Sequence, residues 1–208
     1  MKADPDRSTI VIVGSWNQAI FTEAWVQQNV LRGPDAVRQE VALTAQGTLL
    51  RFTGNLARLV VRADRVIWAP LRFDNEALGK MESAASQLLG LLSVTPITGL
   101  GVNYGFNVSE PIGLLKQSLD PADSQKMLGL GAEIRGVLIK RTVRWQDRTV
   151  NLGLERDLGP AARIDINFHS DVSGALDARA KIAGAVVPLK QVALDLISGL
   201  YELHLEGG

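Results

Sequence analysis

The segment RIDINFHSD, residues 163–171, places Asp165, Asn167, His169 and Asp171 on every second position. On a strand, side chains two apart share a face, so Asp165, Asn167 and His169 point one way and Ile164, Ile166 and Phe168 the other. Carboxylate oxygens with an imidazole suit Mn, Fe or Zn, and Asp165, His169 and Asp171 together would make a small metal-dependent hydrolase or nuclease. The same alternation is what any half-buried antiparallel strand shows. The neighbouring run TVNLGLE repeats it, burying Val150, Leu152 and Leu154 and exposing Asn151 and Glu155. The sequence therefore favours a solvated or interface face over a site, and no metal or cofactor is expected. His204, the other histidine, lies near the end of the last helix before Gly207, where a cation suits the helix dipole better than ligation.

Other chemical motifs are incomplete. VIVGSWNQ has Gly14 between a strand and a helix, the place for an anion at a helix N-terminus, but it lacks both the GxGxxG spacing and the P-loop lysine. GLGVNYG carries GxGxxxG inside a strand instead of at a strand–helix turn. No GxSxG elbow is present, and Ser170 and Asp171 alternate faces with His169. The hairpin KRTVRWQDRTV interleaves Lys140, Arg141, Arg144 and Arg148 with Trp145, a pattern that stacks bases and holds phosphates in nucleic-acid binders. Strand geometry splits it, with Lys140 and Arg144 on one face and Arg141 and Trp145 on the other, so a charged, solvated edge strand is the default. The terminal Gly207-Gly208 reads as a short tail after a helix cap.

The whole chain narrows the classes further. Its 208 residues are enough for one well-buried core, and 46% hydrophobic with 21% charged is a globular composition. Lys plus Arg balance Asp plus Glu at 22 each, so no long-range field draws nucleic acid or anionic membrane. The absence of cysteine removes disulfide scaffolds, thiol catalysis, zinc ribbons and iron–sulfur clusters. Asp4 and Asp6 precede a short apolar run at the N-terminus, unlike a secretory signal, and a cytoplasmic protein with no membrane segment is expected.

Periodicity supplies the elements. STIVIVGS reads as a buried strand, followed by a helix from about Trp16 to Leu31 capped by Ser15 and stopped at Gly33 and Pro34. Four short β-rich runs between Val37 and Leu71, separated by AQG, GN and DR turns, predict an antiparallel meander. Asp74 caps a helix over 75–92, and a long glycine-bearing strand ends near residue 108. Short helical turns broken at Asp120 and Pro121 lead to strands at about 133–145, 148–156 and 162–169, the last two joined through DLGPA. A helical region over 174–205 closes the chain, split by Pro188. The expectation is an α+β fold: antiparallel β-meanders packed against a few helices, with a C-terminal helical segment. One domain is expected, with two meander-plus-helix halves of about 1–108 and 109–208 sharing a core.

Two segments, EALGKMESAASQLLGLLSVTPITGLGVNYGFNV and RIDINFHSDV with LDLISGLYELHLEG, resemble bacterial proteins that have no assigned activity. Those proteins combine a helix, a TP-containing strand ending in a GxNYxF-like motif, an NFHxDV-like strand and a C-terminal helix. The resemblance implies an α+β fold and carries over no catalytic residue. It also implies sporadically distributed accessory genes in a mobile-element, phage or defence setting.

The function expected is a non-enzymatic interaction module or subunit of a larger bacterial or phage-related assembly. Its partners would be proteins or further copies of itself. Trp145 on one strand, and Leu194, Ile197, Leu200 and Tyr201 on the last helix, are the candidate interface residues. The alternatives are the hydrolase built on Asp165, His169 and Asp171, and nucleic-acid binding through Lys140, Arg141, Arg144 and Arg148, which zero net charge disfavours.

Overall fold

The structure, a computed structural model, describes residues 1–32, 36–45, 47–120, 123–157 and 159–206. Its elements run β1 (Lys2–Asp4), β2 (Ile10–Gly14), α1 (Glu23–Asn29), β3 (Arg38–Thr44), β4 (Gly47–Thr53), β5 (Ala57–Val61), β6 (Arg65–Pro70) and α2 (Asn75–Leu91). They continue as β7 (Ile97–Val108), α3 (Gly113–Leu119), α4 (Ser124–Gly129), β8 (Val137–Trp145), β9 (Arg148–Arg156), β10 (Ala162–Asp171), α5 (Ala175–Ile182) and α6 (Val186–Tyr201). The fold is α+β. One ten-stranded sheet has the order β3-β4-β5-β6-β2-β7-β10-β9-β8, with β1 beside the far end of β7. Every pairing is antiparallel. The sequence of a strand, helical turns, a meander returning to that strand and a closing helix begins at β2 and again at β7. The helix stop at Gly33 and Pro34, the turn at Gln46, the break at Pro121, the turn at Leu158 and the Gly207-Gly208 tail lie outside the described residues.

Local chemistry explains the helix boundaries. The Asp74 carboxylate accepts from the Ala77 N–H at 2.8 Å and starts α2, which buries Leu78, Met81, Ala85 and Leu88 along one stripe. The helix expected from Trp16 is shorter and later. Asn17 caps a 3-10 turn over Gln18–Ile20, and Thr22 caps α1 by accepting from Trp25 N–H at 3.2 Å. Two competing side-chain caps within six residues cut the run. The C-terminal region is split, but not by Pro188. The break comes at Gly184, whose φ of +70° suits only glycine without strain, and Pro188 sits in the first turn of α6, where its missing N–H is no loss.

Helices α2, α5 and α6 cover one face of the sheet, while α1 abuts α2 and α3 abuts α6. Beneath them lies a row of edge-to-face aromatics, Trp145–Phe168–Tyr104–Phe73–Phe106, with centroids 5.8–6.3 Å apart. Burial pushes the Tyr104 hydroxyl well above its ordinary pKa, and its proton is donated to the Val186 carbonyl. Among the described residues no single helix is long and apolar enough to cross a membrane.

Candidate functional site

The polar face of RIDINFHSD lies on the side of the sheet opposite the helices. The strand pleat does put Asp165, Asn167 and His169 on one face, but in file. Asp165 and His169 are four residues apart along β10, about 13 Å at strand rise. Each is also committed to a different neighbour. Asp165 forms an ion pair with Arg7, whose guanidinium also lies 3.8 Å from Glu155. Burial raises the Asp165 carboxyl above the usual carboxylate range, while Arg7 pulls it back. His169 Nε2 lies 3.3 Å from Asp171 Oδ1, with Asp171 95% exposed. Asp165, His169 and Asp171 therefore do not converge as the hydrolase reading requires. Among the described residues no group of three or more His, Asp or Glu side chains is arranged to hold a metal. His204 has Ser198 as its side-chain neighbour, at 3.5 Å, so the two histidines do not share a site.

What the polar row does instead is visible in the register. Thr142, Asn151, Asn167, Asn103 and Thr9 stand side by side across adjacent strands. Their side chains form a continuous ladder. Thr142 Oγ1 donates to Asn151 Oδ1 at 2.8 Å, and Asn151 Nδ2 donates to Asn167 Oδ1 at 3.0 Å. Asn167 Nδ2 donates to Asn103 Oδ1 at 2.8 Å, and Asn103 Nδ2 to Thr9 Oγ1 at 2.9 Å. Amides, each with a donor and an acceptor end, can be chained in this way, and the ladder fixes the register of the central strands. The β7 glycines make room for it. A Cβ at Gly101 would stand 3.1 Å from Asn167 Nδ2, and one at Gly105 only 2.3 Å from the Arg7 Cβ. The sequence expectation of a close approach at these glycines is thus met by Arg7 and Asn167.

The basic hairpin separates into different roles. Arg148 is buried, donating to Ser170 Oγ at 3.0 Å and to the Lys181 carbonyl at 2.8 Å, so it pins β9 to β10 and to the end of α5 and offers nothing to a phosphate. Trp145 packs edge-on against Phe168, under the helices. Arg141, on the same side, donates to the Tyr201 hydroxyl of α6 at 2.9 Å. Lys140 and Arg144 project from the opposite face of β8, which ends the sheet. The phosphate-and-base pattern read from sequence is dispersed over two faces and the core.

The two surfaces named from sequence, the edge strand and the C-terminal helix, meet. A groove of about 390 Å³ runs between β8–β9 and α6, lined by Arg141, Val143, Leu152, Ile166, Leu196 and Leu200, with Ile197 and Tyr201 at its floor. Ile197 and Tyr201 are buried, so they are spent on the core and only shape the groove. Val143, 55% exposed, and Leu200, 43% exposed, form its open lips. Leu194 is half-buried and lies on the other flank of α6, about 120° around the helix from Leu200. Periodicity in β8 and α6 did not reveal Val143 or Leu196 as groove residues, because each becomes a wall only when the other element is present.

One positioning residue had no sequence signal at all. Glu82, on α2, accepts from the N–H groups of Gly184 at 2.7 Å and Val186 at 2.8 Å. It supplies from another helix the cap that Ala185 cannot give, and the negative charge suits the N-terminus of α6. No family model matches this chain, and no curated protein matches it at a significant level.

Proposed function

We propose that this chain is a non-enzymatic interaction module, a subunit or adaptor that holds a protein partner where β8 meets α6. The observation that supports this reading most is the convergence of an unpaired edge strand with an apolar groove bearing Val143 and Leu200 at its lips. Strand edges bind through backbone hydrogen bonds, and adjoining pockets select side chains. The bacterial or phage-related setting implied by the resemblance is one in which such a subunit would act, in the cytoplasm and within a larger assembly.

The reading is tested with a photo-crosslinking amino acid placed at Val143 and, as a control, at the exposed Ser83 on α2. In cells, a discrete protein adduct is expected at Val143 and not at Ser83, and it should disappear with Leu200→Glu in a chain that still melts cooperatively. The same adducts from both positions, or none from Val143, would overturn it.

A further inference from the structure

The groove's occupant is open in the reading above, and the chemistry of β8 narrows it. We infer that the β8 edge receives an extended acidic strand from a partner protein, one that alternates carboxylates with aliphatic side chains; this rests on the interaction reading. The hairpin β8–β9 closes through the two-residue loop Gln146–Asp147, with Gln146 at φ +53°, so Trp145 and Arg148 form its first mutually bonded pair. Alternation then turns the N–H and C=O groups of Val143, Arg141 and Ile139 towards β9. Those of Leu138, Lys140, Thr142 and Arg144 point outward, where no strand among the described residues pairs with them. A template for one more strand is therefore in place along the lip of the groove.

Charge decides what can use it. The β8 sequence VLIKRTVRW contains three cations, Lys140, Arg141 and Arg144, and no carboxylate. Lys140 has no ion-pair or hydrogen-bond partner among the described residues, while Arg144 spends its Nε on the Gln146 carbonyl and Arg141 bonds the neutral Tyr201 hydroxyl. All three are exposed and uncompensated by an acid. A second copy pairing antiparallel about Arg141 would set Arg141 against Arg141 and crowd Lys140 and Arg144 of both chains onto one face. Like charges opposed across strands are destabilising, so the edge rejects its own kind.

A strand carrying carboxylates meets Lys140 and Arg144 on the open face. Its alternate residues, about 7 Å apart, fall over Val143 and Leu200 on the helix side, where an acid is welcome only beside Arg141. The pattern required of the partner is thus acid and aliphatic in alternation, with extended backbone.

The test uses the full chain and fluorescein-labelled peptides of about nine residues, one alternating glutamate with valine and one alternating lysine with valine. Anisotropy at low ionic strength should show the glutamate peptide binding at least about tenfold more tightly than the lysine peptide, with affinity falling as salt rises. Amide exchange should slow at Lys140, Thr142 and Arg144, and not along β3. The double variant Lys140→Glu, Arg144→Glu, both at exposed positions, should reverse the peptide preference. Equal binding of both peptides, protection elsewhere, or concentration-dependent dimerisation through β8 would overturn the inference. If the Val143 crosslink forms while the glutamate peptide fails to bind, the acidic-strand inference falls and the interaction reading stands; if both fail, both fall.

Discussion

Arg144→Ala and Arg148→Ala remove the same side chain from the same hairpin, and the structure sets their consequences far apart. Arg148 is 8% exposed and makes two charge-assisted hydrogen bonds, to Ser170 Oγ at 3.0 Å and to the Lys181 carbonyl at 2.8 Å. Bonds to a charged group contribute about 1.5–3 kcal/mol each, but truncation also relieves the guanidinium's own desolvation. What remains is Ser170, 2% exposed and left without its donor, a part-buried Lys181 carbonyl that loses its bond, and a cavity where the aliphatic stem packed. The Asp147 carboxylate at 3.9 Å adds little, being 63% exposed. A net loss of about 2–4 kcal/mol follows, equivalent to roughly 5–15 °C in Tm for a chain of this size. Arg144, exposed and bonded only to a local carbonyl, should cost less than about 0.5 kcal/mol. Urea unfolding followed by tryptophan fluorescence measures both, with Arg148→Lys expected between them because it keeps the charge and loses the fork. Equal, small losses for the two alanine variants would refute the assignment of Arg148 to the core.

Four further outcomes follow from other contacts. Asp74→Ala should lower the Tm at neutral pH, and the deficit should shrink as pH falls below about 4: the Ala77 N–H holds the Asp74 carboxyl below its ordinary 3.8, so its stabilisation is full above that value and is lost as the folded carboxyl protonates. Gly105→Ala would put a Cβ 2.3 Å from the Arg7 Cβ, forcing the Pro5–Arg7 turn off the sheet at a cost of about 1–3 kcal/mol, detectable as a loss of urea midpoint with an unchanged m-value. Asn167→Ala breaks the ladder at its centre and should cost about 1–2 kcal/mol in the same assay, with little effect on peptide binding at β8, since Asn167 stands on β10 and β9 lies between it and the edge. Neutralising the edge with Lys140→Thr and Arg144→Thr should leave Tm nearly unchanged but raise light scattering on concentration, and a monodisperse variant would contradict the protective role of the cations.

The fold was largely legible because its elements are amphipathic with clean periods. The meander from Arg38 to Pro70 alternates strictly enough to fix its strands, and Asp74 with the Leu78–Met81–Ala85–Leu88 stripe fixes α2. Failures came where two local signals compete, as at Asn17 and Thr22, or where a proline is tolerated, as at Pro188. The candidate site was legible by halves. Trp145 and Leu200 were named on separate elements, yet only the order β10-β9-β8 and the packing of α6 bring those elements together. For the Asp165–His169 row the strand period reports a shared face and carries no information on what stands beside each side chain. Arg7, the partner of Asp165, is 158 residues away in sequence.

That separation also explains why the polar face and the groove should be assigned different work. On the open face the polar groups are consumed by one another: the Thr9–Thr142 ladder satisfies both ends of its amides, and Arg7 takes up Asp165 and Glu155. A ligand there would have to break bonds already made. At β8 the reverse holds, since its outward backbone groups, Lys140 and the exposed Val143 and Leu200 make no comparable contacts among the described residues. Binding energy is available where the fold has left groups unsatisfied, and β8 is such a place beside an apolar groove, guarded by three cations against itself.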